Sequence, residues 1–94
     1  MIVVRNSFVA KPGLAGKLAA HLKDVASTFG LPNYRVLTDV TGDYNHVVME
    51  YEVENLAEFE RTFTEYMTKP DIREKMKGYT DLWTSGSREL FRIT

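Results

Sequence analysis

The chain lacks cysteine altogether and contains only two histidines among its 94 residues. Without cysteine there are no disulfides, thiolate nucleophiles, iron–sulfur clusters or cysteine-based zinc sites. The two histidines, His21 and His46, fall on different predicted elements, and no HExxH, GxSxG, GxGxxG or phosphate-loop motif occurs. We therefore expect no metal and no cofactor. The absence of cysteine is compatible with a reducing cytoplasm, where we expect the protein to be located.

An excess of charge of one sign is also missing. Twelve Lys and Arg face thirteen Asp and Glu, which leaves a net charge of −1, whereas nucleic-acid binders usually carry a basic excess or stripe. The basic cluster of Arg73, Lys75 and Lys77 is interrupted by Glu74, and a solvated helix face explains it better than an interaction patch. No apolar run has the length of a signal peptide core or a membrane helix. Neither nucleic acid nor a membrane is an expected partner.

The order of periodic segments predicts the fold. Leu14, Leu18, Leu22, Val25 and Phe29 recur at the spacing of one helical stripe over 14–29. A capping pair, Asn55 and Glu58, starts a second helix, and Pro70 starts a short extra one ending near Gly78. The predicted strands are 2–10, 33–40, 44–53 and 88–93, with a turn at 84–87. The resulting β-α-β-β-α-β order predicts a single α+β, ferredoxin-like domain over 1–94, a four-stranded antiparallel sheet with both helices on one face.

Strand alternation assigns residues to the two faces of this sheet. Val4, Asn6 and Phe8 of the first strand are expected under the helices, as are Phe91 and Ile93 of the last, while Arg88 is expected on the open face. That open face mixes large apolar and charged side chains, which favours self-association as a homodimer over exposure to solvent. Its expected interface residues are Arg5, Arg35, Leu37, His46, Val48, Glu50, Leu90 and Arg92.

Asn6 is the polar exception in an apolar row of the first strand. Because a buried amide must be hydrogen-bonded, it either pairs with backbone or water, or faces a ligand cleft between sheet and helices. Trp83, in a stretch expected to be irregular, either anchors that stretch or covers the mouth of the cleft. His21 is expected to be a partly buried structural residue. The residues expected to contact a ligand, each also explicable as core packing, are Tyr34, Met49, Tyr51, Phe63, Tyr66 and Trp83.

Three local features carry a resemblance to a known superfamily. They are the strand that ends Val9-Ala10-Lys11-Pro12-Gly13, the passage over 48–59, and Lys69-Pro70-Asp71 at the start of the extra helix. With the element order, they resemble the dimeric α/β-barrel superfamily, in particular its NIPSNAP-like and antibiotic-biosynthesis-monooxygenase-like members. The resemblance implies a barrel completed by a second copy.

The same resemblance suggests residue roles. Oxygenases and haem degraders of this superfamily use an Asn on the first strand, which Asn6 matches in position, and a Trp near the pocket, which Trp83 matches in residue type. The haem degraders also use a histidine in the second half of the chain. No histidine follows His46, which argues against haem degradation.

Three functional hypotheses remain open. The first is a homodimer that binds a small hydrophobic or aromatic ligand without catalysis. The second is a cofactor-independent monooxygenase acting on a phenolic or quinol substrate, with Asn6 as the tentative catalytic residue that hydrogen-bonds the substrate oxygen. The third is a protein–protein interaction module that docks through the dimer face or the basic extra helix.

Overall fold

The computed structural model describes residues 1–94 and confirms the predicted β-α-β-β-α-β order. The four strands form one antiparallel sheet in the order β2-β3-β1-β4, the α+β, ferredoxin-like arrangement. No helix has the length and apolar character needed to cross a membrane. The elements are β1 (Ile2–Ala10), α1 (Ala15–Phe29), β2 (Arg35–Thr38), β3 (His46–Val53), α2 (Leu56–Thr68), α3 (Pro70–Lys75), a 3₁₀ turn (Tyr79–Leu82) and β4 (Trp83–Arg92).

The helix ends follow the signals in the sequence. Helix α1 ends at Phe29 and is capped by Gly30, whose φ of 73° is in the left-handed region that glycine tolerates best. At the start of α2 the Asn55 side chain accepts a hydrogen bond from the Glu58 amide at 2.8 Å, and the Glu58 carboxylate accepts one from the Glu54 amide at 2.7 Å. The predicted capping pair is confirmed, with the return bond directed to the residue before the cap.

The core lies between the sheet and α1. The inward side chains of β1 and β3 are buried as strand alternation predicts, and they pack against Leu18, Leu22 and Ala26 of α1. Helix α2, by contrast, has no buried residue although its aromatic side faces the sheet. The space between α2 and the sheet is therefore left partly unfilled.

Strand β4 begins at Trp83 rather than at Arg88. The segment 84–87, predicted as a turn, instead pairs with β1, and the register shifts at a bulge opposite Val9 and Ala10. Gly and Ser are weak strand formers, so this part of the strand depends on pairing with β1 and has no local signal. Strand β2 is shorter than predicted and ends at Thr38.

The β4 register reverses the predicted faces of that strand. Leu90 lies opposite Val4, and Arg88 lies opposite Asn6; directly opposed residues share a face, so both point to the helix side. Arg92 does the same, and the predicted interface positions of Leu90 and Arg92 are wrong. Leu90 and Phe91 are adjacent and both apolar, so the sequence of β4 shows no clean alternation. Strand β4 also lies at the edge of the sheet, where its long arginine side chains stay exposed to water even on the helix side.

The other predicted interface residues do lie on the open face. At its centre the Glu50 carboxylate accepts hydrogen bonds from Arg5 Nε at 2.5 Å and Arg35 Nε at 2.8 Å, and the Glu50 side chain is only 5% exposed. Burial alone would raise the pKa of Glu50, but the hydrogen bonds from the two guanidinium groups hold that pKa below its usual value. Glu50 was expected to pair at a dimer interface; its ion pairs are formed within the chain.

Candidate functional site

A cavity of about 510 Å³ lies between the inner face of the sheet and helices α2 and α3. Eleven of its fifteen lining residues are hydrophobic, and its volume is in the range of small-molecule sites. It exists because α1 fills one half of the sheet's inner face while α2 stands off from the other half. Five of the seven residues proposed from the sequence for the site line it, namely Asn6, Met49, Tyr51, Phe63 and Tyr66.

The other two proposed residues do not line the cavity. Tyr34 is partly buried and packs against the hydrophobic core. Trp83 packs with Phe8 and Tyr79, at ring-centroid distances of 5.5 and 5.6 Å. Since Phe8 and Tyr79 themselves line the cavity, Trp83 supports the cavity wall from behind.

The polar end of the cavity is a pair of side chains from neighbouring strands. Arg88 Nε donates a hydrogen bond to Asn6 Oδ1 at 2.8 Å. The Arg88 guanidinium also lies over the Phe63 ring of α2, 4.6 Å from its centroid. Arg88 therefore connects β4, β1 and α2 at one point. Asn6 is 6% exposed, and its side-chain carbonyl accepts this hydrogen bond from another side chain. Neither interpretation of the sequence included a side-chain partner for Asn6.

This pair leaves hydrogen-bond donors facing the cavity. Asn6 Oδ1 is used by Arg88, while the chain offers no partner to Asn6 Nδ2 or to the Tyr51 hydroxyl, and neither atom is fully occluded. The guanidinium has no acceptor atoms at all. A ligand group placed here would meet donors from the amide, the guanidinium and the phenol.

Three tyrosines surround this end and stay protonated at neutral pH. Burial raises the pKa of Tyr51, and it raises the pKa values of Tyr66 and Tyr79 to about 12, in each case against the opposing influence of the Arg88 cation. The Tyr66 hydroxyl donates to Met76 Sδ at 3.1 Å. The tyrosines thus act as neutral donors and apolar walls, and supply no negative charge to balance Arg88.

No acidic side chain lines the cavity. Its charged lining residues are Arg73 and Arg88, and neither forms a salt bridge within the chain. Low-dielectric walls strengthen the field of a cation. The cavity is therefore suited to an anionic or electron-rich group. No cluster of three or more His, Asp or Glu side chains has the geometry to hold a metal ion.

The wall behind the cavity is an aromatic cluster. Tyr79 stacks on His21 at 5.7 Å and meets Phe8 edge-on at 5.9 Å. His21 is partly buried, as expected from the sequence, and burial lowers its pKa although Asp24 acts to raise it.

Gly86 completes this wall from the edge strand. It lies opposite Phe8, and a Cβ atom at this position would come within 3.1 Å of Phe8 Cδ1. Glycine therefore lets the Phe8 ring, which lines the cavity, pack closely against the β4 backbone.

Arg88 is the site residue that sequence reasoning missed. The alternation predicted for β4 starts from the wrong residue, which placed Arg88 on the open face. The signal that could have identified it is the buried amide of Asn6, since such an amide needs a hydrogen-bond partner and a polar side chain on an adjacent strand is one candidate.

The sequence comparisons show no relatives: no family model matches the chain, and no curated protein matches it. Solved structures do match over nearly the whole length. An uncharacterised NIPSNAP domain protein from Burkholderia xenovorans superposes with a TM-score of 0.87 at 11% identity, covering 100% of this chain and 95% of that one. SnoaB, a cofactor-independent oxygenase from Streptomyces nogalater, superposes with a TM-score of 0.73 at 18% identity, covering 99% and 92%.

A structure described as an antibiotic biosynthesis monooxygenase also superposes with a TM-score of 0.73 at 14% identity, covering 100% of this chain and 99% of that one. At these identities the likeness concerns the fold, while function is carried by the residues of a site. The fold likeness agrees with the resemblance noted in the local sequence features. The chain thus shares its ferredoxin-like fold with NIPSNAP domain proteins and antibiotic-biosynthesis-monooxygenase-like proteins.

Proposed function

We propose that the protein binds a small aromatic or hydrophobic molecule carrying an ionised oxygen, such as a carboxylate or a phenolate, in the cavity under α2. The observation that carries this proposal is the Asn6–Arg88 pair, which presents donors and a positive charge to an apolar space without any counter-charge. Donors without acceptors select ligand atoms that only accept. The apolar walls select the rest of the molecule.

Binding exchanges the hydration of Arg88 for contacts with the ligand. Arg88 is exposed and hydrated when the cavity is empty, so the free protein carries no buried unpaired charge. A ligand oxyanion can replace that water with charge-assisted hydrogen bonds, each worth about 1.5–3 kcal/mol. Its ring can contact Phe63 and Tyr66 and gain apolar burial as well.

Calorimetric titration tests this proposal with two ligands of equal shape. One is a naphthoate with its carboxylate at one end of the long ring axis, and the other is the matching naphthamide, which lacks the charge. We expect the naphthoate to bind more tightly, and Arg88→Gln to weaken naphthoate binding about tenfold or more while leaving naphthamide binding nearly unchanged.

Arg92→Gln is the matched control, because Arg92 occupies the same strand and the same face but does not line the cavity. This variant should bind both ligands as the wild type does. Equal affinity of the wild type for the charged and the neutral ligand, or an unchanged naphthoate affinity in Arg88→Gln, would refute the proposal.

A second candidate function is cofactor-independent oxygenation of a phenol. It is favoured by the structural likeness to SnoaB, a cofactor-independent oxygenase, together with the donors that would stabilise a phenolate at Asn6 and Arg88. In such a reaction a naphthol loses its O–H and one ring C–H hydrogen, one oxygen atom of O₂ enters the ring as the second quinone oxygen, and the other leaves as water.

In this reaction the protein's part is to ionise the phenol, hold it and exclude water. Oxygen consumption with a naphthol tests it: we expect wild-type turnover and its loss in Asn6→Leu, with quinone formed in equal amount to the oxygen consumed. Turnover that persists in Asn6→Leu would contradict the role of Asn6.

The open face of the sheet supports the proposal of a homodimer formed by a second copy of this chain. Leu37 is 41% exposed there, and Phe91 of β4 is 42% exposed. Both charge signs occur beside them, with Arg35 on β2 and Glu89 on β4, so a two-fold related copy can pair unlike charges. Sedimentation of the wild type as a dimer and of Leu37→Asp as a monomer is expected; a monomeric wild type would contradict it.

A further inference from the structure

The basic cluster noted in the sequence is not uniform in the structure. Lys75 Nζ lies 2.8 Å from an Asp24 oxygen, and Lys77 Nζ lies 2.9 Å from a Glu74 oxygen. Arg73 has no acidic partner and lines the cavity. Two of the three cations are thus neutralised by their neighbours, and the third is left at the edge of the ligand space.

Helix α3 is fixed well enough to place Arg73. Ile72, the preceding residue, is 2% exposed and lines the cavity floor beside it. The Lys75 ion pair joins α3 to α1, and the hydrogen bond from the Tyr66 hydroxyl to Met76 Sδ joins the end of α3 to α2. With its helix held on two sides, Arg73 lines the cavity from the helical layer.

Arg73 and Arg88 reach the cavity from different layers. Arg88 comes from β4 in the sheet, and Arg73 comes from α3 in the layer that covers the sheet. The lining between them is mostly apolar and contains no carboxylate. This arrangement matches a molecule with an apolar ring body and one anionic group toward each layer.

We propose that Arg73 is a specificity-determining residue that receives a second anionic group, so that the preferred ligands are aromatic dianions such as dicarboxylates and ionised hydroxy acids. The inference rests on the proposed function, because the first anion is placed at Asn6 and Arg88. Arg73 is exposed, so water and salt weaken its contribution. The second anion therefore improves affinity about three- to tenfold at low salt, and less at high salt.

The test compares the naphthoate with the naphthalenedicarboxylate that carries a carboxylate at each end of the long ring axis. The wild type should bind the dicarboxylate about three- to tenfold more tightly. Arg73→Gln should remove that advantage, weakening dicarboxylate binding more than naphthoate binding, and Arg73→Lys should restore part of it. Lys77→Gln removes a cation from the same segment outside the cavity and should retain the full advantage.

The possible results distinguish the role of Arg73 from the proposed function. Equal wild-type affinity for the two ligands, or an advantage that survives in Arg73→Gln, would overturn the role of Arg73 and leave the proposed function standing. Loss of the advantage in Lys77→Gln as well would assign it to the general charge of the segment and likewise overturn the role of Arg73. Failure of the wild type to bind the naphthoate at all would overturn the proposed function and this inference together.

Discussion

Replacement of Asn6 by Asp tests the polar end of the cavity, because it should weaken the binding of an anionic ligand without destabilising the fold. Asn6→Asp keeps the oxygen that accepts the 2.8 Å hydrogen bond from Arg88 Nε and replaces the free amide donors by a second carboxylate oxygen. The new carboxylate forms an ion pair with Arg88, so the folded protein should be as stable as the wild type or slightly more so. An anionic ligand, however, should lose a donor, lose part of the guanidinium charge and meet a like charge.

The expected loss of naphthoate affinity follows from the repulsion between the new carboxylate and the ligand carboxylate. Two unit charges about 4 Å apart interact with about 4 kcal/mol at an effective dielectric constant of about 20, and the lost hydrogen bond adds to this. Because Arg88 is solvent-exposed and the new carboxyl can take up a proton, the net penalty should fall to about 2–4 kcal/mol, or about thirtyfold to a thousandfold in the naphthoate dissociation constant.

Calorimetry and thermal unfolding measure the two effects separately. We expect naphthoate binding to be strongly weakened, naphthamide binding to change little, and the unfolding temperature to be preserved. Naphthoate affinity should recover as the pH is lowered, since protonation of the new carboxyl removes the like charge. Naphthoate affinity equal to that of the wild type at neutral pH would refute the placement of the oxyanion beside Asn6.

Three further outcomes are expected. Gly86→Ala should weaken ligand binding with little loss of stability, because its new Cβ lies 3.1 Å from Phe8 Cδ1 and forces this ring of the cavity wall to shift; a naphthoate affinity equal to that of the wild type would contradict this. Since its folded pKa is lowered, Glu50 stabilises the fold fully above its ordinary pKa of 4.5 and loses that effect as pH falls through the lowered value. Urea unfolding over an acidic pH series should therefore show a loss of stability that Glu50→Gln reduces and Glu52→Gln does not. Leu18→Ala should cost about 2–5 kcal/mol in urea unfolding, because Leu18 is fully buried; a change below about 1 kcal/mol would show that the site collapses around the smaller residue.

The fold was predictable from the sequence in those strands whose residue pattern fits only one assignment of faces. In β1 and β3 every second residue is apolar apart from Asn6, and charged residues interrupt the opposite face, so the alternation assigns Val4, Phe8 and Val47 to the core, where all three are buried. Strand β4 offers no such pattern, because Leu90 and Phe91 are adjacent and the strand starts in a Ser- and Gly-rich segment. Its faces are set by pairing with β1, which is a tertiary effect.

Part of the site was predictable because one of its residues departs from an otherwise regular pattern. Asn6 stood out as an amide among apolar residues, and it lies at the polar end of the cavity. The face on which Arg88 lies depends on the β4 register, and the sequence pattern placed Arg88 on the wrong one. Tyr34 and Trp83 show a further limit: a large aromatic residue has the same signature whether it packs in a core or contacts a ligand, and only the three-dimensional arrangement separates the two.

The central claim is that Asn6 and Arg88 together recognise an oxyanion, and a crystal structure of the naphthoate complex tests it most directly. The account predicts the carboxylate within hydrogen-bond distance, about 2.7–3.2 Å, of Asn6 Nδ2 and an Arg88 Nη atom, with the rings against Phe63. A complex in which the rings occupy the cavity but the carboxylate points to solvent, or in which the cavity stays empty, would contradict it.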